Sequence, residues 1–157
     1  MAQAEPIDLT GAQVVFFDIG ETLATPHFNA AGRLASLEPL PGVSQALARL
    51  RDAGLRLGII SNTGEETSAA LRQVLTDAGL YVFFAPEPGL LIYSAEVHMT
   101  KDSPAIFRLA CDRAGHRHDP GRCLFVGENP DERDVASEAG LPVASSPAEV
   151  AAALRQP

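Results

Sequence analysis

At 157 residues, 46% hydrophobic and 20% charged, the chain is bounded to one domain with enough material for a real core. A formal net charge of -8 and a pI near 4.9 argue against a reader of nucleic-acid backbones, and no apolar run reaches the roughly 18 residues of a membrane span. The two cysteines, Cys111 and Cys123, lack a CxxC spacing and sit in apolar contexts, as expected for buried free thiols in a reducing cytoplasm.

Residues 1–12 have no basic end followed by an apolar core, so they read as a polar tail rather than a signal peptide, ahead of a single domain over 13–157. "QVVFFD" then forms a continuous apolar run ending on Asp18. The Pro-, Gly- and Ala-rich segment Ala24 to Leu40 connects it to the helical pattern "PGVSQALARLRDAG". After the run "LRLGIIS", Thr63 and Glu66 have capping-box spacing before a second helix. "YVFFAPEPG", with two prolines, is an irregular connection into "LLIYSA". Ser103-Pro104 opens the next helix, and "RCLFVG" follows it. Asn129 with Glu132 and Ser146 with Glu149 repeat the capping-box spacing, with the short run "LPVAS" between those two helices. "RDAGL", "TDAGL", "DRAGH" and "SEAGL" place Gly54, Gly79, Gly115 and Gly140 where left-handed helix stops are wanted.

The apolar runs are continuous rather than alternating, which suits strands buried on both faces of a parallel sheet. Strands alternating with helices imply a doubly wound three-layer α/β/α sandwich around a mainly parallel five-stranded sheet, a Rossmann-like core. In such folds ligands bind beyond the carboxyl ends of the strands. The first run delivers Asp18, the second Ser61-Asn62, and the fourth Gly127-Glu128-Asn129; Lys101 lies a few residues after the third. A carboxylate, a hydroxyl, a lysine and further acids on one edge are the equipment for handling phosphate.

This ordered set resembles the haloacid dehalogenase superfamily from Val14 to about Ala152. "VVFFDIGETL" is similar to its first motif, "LGIISNTG" to its second, "SAEVHMTKDSPAIF" to its third and "CLFVGENPDERDVASEAGL" to its fourth. The resemblance implies a phosphohydrolase in which Asp18 attacks phosphorus and becomes an aspartyl-phosphate. Ser61 and Asn62 would bind the phosphoryl group, Lys101 would offset its charge, and Thr22 would brace the turn beside it. Mg2+ would rest on Asp18, the main-chain carbonyl of Gly20 and Glu128. The partner implied is a phosphorylated substrate of unknown size, with no nucleic acid and no membrane; an open site leaves an oligomer possible, but nothing indicates one.

Two positions depart from the family pattern. Gly20 stands where its phosphatases carry an aspartate that protonates the leaving group, so the metal-binding carbonyl is kept and the proton shuttle is lost. Positioned acid–base catalysis contributes roughly 10²–10⁴ in rate, so such an enzyme is slow rather than dead. Glu21 is the neighbouring acid, one residue out of register. Glu128 replaces an aspartate, with Glu132 at the second acidic position, where Asp131 and Glu132 also make a well-formed helix start. His98, His116 and His118 read as surface residues, while His27 and Arg33 could contact substrate from a segment overhanging the site. That segment is too short for a helical cap domain, which leaves a bare core. The alternative in another class is a weakened relative that binds a phosphorylated ligand or a partner protein. A metal-free halide site fits neither Gly20 nor the acidic fourth motif.

Overall fold

A computed structural model describes residues 11–154, so residues 1–10 of the expected polar tail lie outside the described residues. Five parallel strands form one sheet: β1 (Val14–Phe17), β4 (Arg56–Ser61), β5 (Leu91–Tyr93), β6 (Cys123–Val126) and β7 (Val143–Ala144). Their order is β5-β4-β1-β6-β7, with β1 at the centre. The five apolar runs are therefore the five strands of the sheet, the last of them only two residues long.

Alternation within β1 shows why it carries no polar residue. Val15 and Phe17 belong to one buried cluster and Val14 and Phe16 to the other, all at 0% exposure. On the first face pack α1 (Val43–Asp52), α2 (Ser68–Asp77) and α6 (Pro147–Ala153) through Leu47, Leu75 and Val150. On the second face pack α4 (Pro104–Arg113) and α5 (Pro130–Glu138) through Phe107 and Ala136. The chain winds outward from β1 through β4 to β5, then crosses back to β6. That reversal beside β1 is where a doubly wound sheet opens a crevice at its carboxyl edge. Among the described residues, no helix is long and apolar enough to cross a membrane.

Gly54, Gly79, Gly115 and Gly140 all have φ between 76° and 96°, as left-handed helix stops require. Ser103, Asn129 and Ser146 cap α4, α5 and α6 as their spacing predicts. Helix α2 differs. Its cap is Thr67, whose Oγ1 accepts the Ala70 N–H, not Thr63. The reason is competition: the Thr63 hydroxyl accepts the Ala95 N–H, while the Glu66 carboxylate is held by Arg33 and the Leu34 N–H. The residues that look like a capping box are used elsewhere, and the helix starts later.

The connection Ala24 to Leu40 also differs from expectation. It folds as an antiparallel hairpin of β2 (Ala24–Phe28) and β3 (Leu34–Pro39), with a register shift at His27/Phe28. Asn29 closes its turn by accepting the Ala31 and Arg33 N–H groups, and Leu37 anchors it in the first core cluster. Between α2 and β5 the two-proline segment forms 3-10 turns at Tyr81–Phe83 and Pro88–Leu90, and a short helix α3 (Ser94–Val97) follows β5.

Candidate functional site

Asp18 follows the last residue of the central strand, and its N–H donates to the Val126 carbonyl, extending the β1–β6 ladder. The next residues turn sharply, because the N–H groups of Thr22, Leu23 and Ala24 all converge on the Ile19 carbonyl. Within that turn Glu21 takes φ 57°, a left-handed conformation that costs a non-glycine residue roughly 1–2 kcal/mol. Gly20 pairs with Ala24 through Ala24 N–H to Ile19 O and Glu21 N–H to Ala24 O. Neither bond uses the Gly20 carbonyl.

Lys101 is the second fixed point. It is 2% exposed, with its ammonium 2.6 Å from Asp18 Oδ1 and 2.7 Å from Glu132 Oε1. The Asp18 contact is an aligned hydrogen bond; the Glu132 contact is charge proximity alone, since Glu132 Oε1 is buried without a hydrogen-bond partner among the described residues. The ammonium also lies 5.8 Å from the centroid of the Phe125 ring. A charge buried this deeply is costly unless it is paired, and the two carboxylates supply the pairing. Two carboxylates against one ammonium leave a formal excess of one negative charge, so the cluster has room for a further cation.

Backbone contacts explain how Lys101 reaches Asp18. Its N–H donates to Asn62 Oδ1 at 2.9 Å, which ties it to the loop after β4. That loop is held again where the Thr63 N–H donates to Ser94 Oγ, at the end of β5. Ser61 is 6% exposed at the last position of β4, and Asn62 is exposed. Asn62 therefore serves as an anchor for Lys101, whatever else its amide touches.

Thr22 is 2% exposed, and its hydroxyl accepts the Glu128 N–H at 3.1 Å, so it joins the turn after β1 to the turn after β6. Gly127 fits that turn because any Cβ there would stand 2.9 Å from the Phe125 ring. The Gly127 carbonyl accepts from Arg133 at 2.7 Å. The Glu128 side chain is exposed at the rim, whereas Glu132 reaches inward. Asn129 Oδ1 accepts the Asp131 and Glu132 N–H groups, so Glu132 sits in the first turn of α5 and also pairs with Lys101.

A divalent cation at this edge would be held by Asp18, the Gly20 carbonyl, which accepts no hydrogen bond among the described residues, and an acid of the β6–α5 turn. Among the described residues no three acid, thiol or imidazole side chains cluster tightly enough to hold a metal by themselves, so a main-chain carbonyl and water would complete the shell. The excess negative charge and the unused carbonyl fit such an ion.

The residues expected to overhang the site are otherwise engaged. His27 pairs with Glu38 across the hairpin at 3.2 Å. Arg33 pairs with Glu66 at 2.9 Å and also donates to the Glu65 carbonyl. His98 and His118 are exposed, but His116 is partly buried, with Nε2 unpartnered among the described residues. Ser94 was not among the expected site residues; its signal is that it follows β5 as Ser61 ends β4.

A family model described as haloacid dehalogenase-like hydrolase matches residues 27–140. The chain is 35% identical over 105 residues to a phosphoglycolate phosphatase of Mesorhizobium japonicum, which covers 67% of this chain and 42% of that protein. It is 33% identical over 117 residues to an (S)-2-haloacid dehalogenase of Pseudomonas putida, covering 74% of this chain and 48% of the other. The chain thus spans about half the length of the curated relatives it matches. Among solved structures, an uncharacterized protein from Listeria monocytogenes serotype 4b has the same fold, with a TM-score of 0.73 at 19% identity over 90% of this chain and 96% of that one.

Proposed function

The chain belongs to the haloacid dehalogenase-like hydrolase family, and on that premise we propose that it is a magnesium-dependent phosphohydrolase with Asp18 as nucleophile. The observation that carries this reading is the buried Asp18–Lys101–Glu132 cluster, with one negative charge in excess at the end of the central strand. The relatives named above include both a phosphatase and a dehalogenase. An acid-rich site with room for a cation favours the phosphatase, because a metal-free site that expels halide gains nothing from extra carboxylates.

In this reading Asp18 attacks phosphorus in line, forming the Asp18–O–P bond as the ester P–O bond breaks. Lys101 aims the Asp18 carboxylate through its 2.6 Å hydrogen bond, and carries part of the charge on the phosphoryl oxygens. Ser61 donates a hydrogen bond to one of those oxygens. Thr22 holds the two turns in register. Magnesium would be held by Asp18, the Gly20 carbonyl and Glu128 or Glu132, and when bound it neutralises phosphoryl charge. Water then cleaves the aspartyl-phosphate, releasing phosphate and restoring the carboxylate. No side chain at position 20 gives the leaving oxygen a proton, so esters of acidic alcohols should react best.

The test is turnover of an aryl phosphate with magnesium, by the parent chain and by Asp18→Asn. Hydrolysis abolished in a folded Asp18→Asn variant is the expected result. Absence of turnover across a broad panel of phosphate esters would overturn the proposal. Retention of inorganic phosphate binding in that case would favour the second reading, a weakened relative that binds phosphorylated ligands, for which Gly20 is the supporting observation.

A further inference from the structure

The β4–β5 ladder ends where Ser61 pairs with Tyr93, yet the two segments stay joined beyond it. The Thr63 N–H donates to Ser94 Oγ at 2.8 Å, and the Ala95 N–H donates to Thr63 Oγ1 at 3.3 Å. Each segment contributes one main-chain donor and one hydroxyl acceptor, so the pairing is reciprocal. Thr63 is 9% exposed and Ser94 8%, which leaves water little access to take over either role. Among the described residues, neither hydroxyl oxygen makes another hydrogen bond.

Asn62 lies between this lock and the last ladder pair, so both its neighbours are fixed. Its Oδ1 accepts the Lys101 N–H at 2.9 Å, and the Lys101 ammonium reaches Asp18 Oδ1 at 2.6 Å. The adjacent residues 62 and 63 therefore hold both ends of the segment 94–101. Within that segment α3 is a single turn, closed by the His98 N–H on the Ser94 carbonyl, and His98 takes φ 56°. A left-handed histidine is unfavourable by itself and persists where its surroundings over-determine it. The two pinned ends supply that constraint.

We propose that Thr63 and Ser94 are positioning residues for phosphoryl transfer at Asp18. Their lock sets the aim of Asn62 and, through it, the place from which Lys101 reaches the nucleophile. The inference rests on the phosphohydrolase reading above, and in it neither residue touches substrate. Lys101 serves the nucleophile and the charge on the transferring group, so a displaced ammonium lowers the rate more than the affinity.

The test compares Thr63→Val, Thr63→Ser and Ser94→Ala in the full chain, with magnesium and an aryl phosphate. Thr63→Val keeps the shape without the hydroxyl, and should lower kcat about tenfold while KM changes less than about twofold. Ser94→Ala should do the same. Thr63→Ser keeps the hydroxyl and should retain most of the rate. Because the lock acts through Asn62, adding Thr63→Val to Asn62→Ala should slow turnover little further. Hydrogen exchange at the Lys101 amide gives a readout without turnover. It should quicken about tenfold in Thr63→Val and in Ser94→Ala, with the amides of α5 unchanged. Unchanged Lys101 exchange, a Thr63→Ser variant as slow as Thr63→Val, or losses that multiply in the double variant would each overturn the proposal. Turnover that survives every variant would overturn this role alone, whereas a parent chain without turnover would overturn the Asp18 reading and this role with it.

Discussion

Replacing Gly20 by aspartate tests the proposed site at its weakest position. A Cβ at Gly20 meets nothing within 4 Å, and the residue is not in the left-handed region, so a side chain enters without strain. Loss of glycine's freedom in the unfolded chain stabilises by about 0.4–1 kcal/mol. Repulsion from Asp18, two residues away at ~7 Å, costs between about 0.6 and 2.4 kcal/mol over the dielectric range from water to a protein surface. The two roughly offset, and the melting temperature should change little. The kinetic effect is far larger. A positioned acid–base group is worth roughly 10²–10⁴ in rate, or about 2.7–5.5 kcal/mol of barrier at 1.36 kcal/mol per decade.

The assay is initial-rate hydrolysis of aryl phosphates of graded leaving-group acidity, with magnesium. Gly20→Asp should accelerate the poorer leaving groups most and flatten the dependence on their acidity. Gly20→Asn, equal in shape but without a proton to give, should not. A folded Gly20→Asp variant no faster than its parent, or an equally fast Gly20→Asn, would refute the idea that the missing proton limits the rate. A large loss on Glu21→Gln would refute it differently, by showing that the exposed neighbour already supplies the proton.

Three other outcomes follow from the same structure. Gly127→Ala should cost about 1–3 kcal/mol in urea unfolding, because the new methyl stands 2.9 Å from the Phe125 ring; a smaller loss would show that the ring can move aside. The Glu66 carboxyl is held below its ordinary 4.5, first by the Arg33 hydrogen bond and then by the Leu34 N–H. A depressed folded pKa gives stability that is complete above the ordinary value and lost as pH falls through the lowered one. Leu34 amide exchange, corrected for its intrinsic rate, should therefore accelerate only below pH 4.5, and a profile flat to stronger acid would contradict the pairing. Glu87→Gln breaks a bidentate contact with Arg56, but both side chains are 35% exposed, so only about 0.5–1 kcal/mol should be lost in urea unfolding; 3 kcal/mol would mean that solvent screens it less than assumed.

What could be read from sequence was set by local rules. Continuous apolar runs became strands because β1, β5 and β6 are buried on both sides, with only Val143 of the short β7 partly exposed, and strand-end position alone put Asp18 and Ser61 on one edge. Glycine stops and Ser/Asn-Pro starts are satisfied by neighbours a few residues away, so their spacing was sufficient. The hairpin was not legible: β2 carries a proline, and Glu66, a partner 33 residues from Arg33, holds it in place. The Thr63–Glu66 box failed for the same reason, since distant groups took both side chains. Glu132 shows a third case. Its place in the first turn of α5 is real, and its carboxylate is nonetheless used by Lys101.

The loop after β4 links these observations. It is tied to the hairpin through Glu66, to the end of β5 through Thr63, and to Lys101 through Asn62. Lys101 stands 83 residues from Asp18, so its 2.6 Å contact must be specified by the tertiary structure. A long lysine side chain loses roughly 1.5–2 kcal/mol of rotamer freedom when fixed, and fixing its main chain through Asn62 lowers the number of arrangements left to exclude. Asn62→Ala should therefore weaken the Lys101–Asp18 pairing without removing either charge. That would appear as a lower kcat with little change in KM, whereas an amide whose main task is to bind phosphate would raise KM instead.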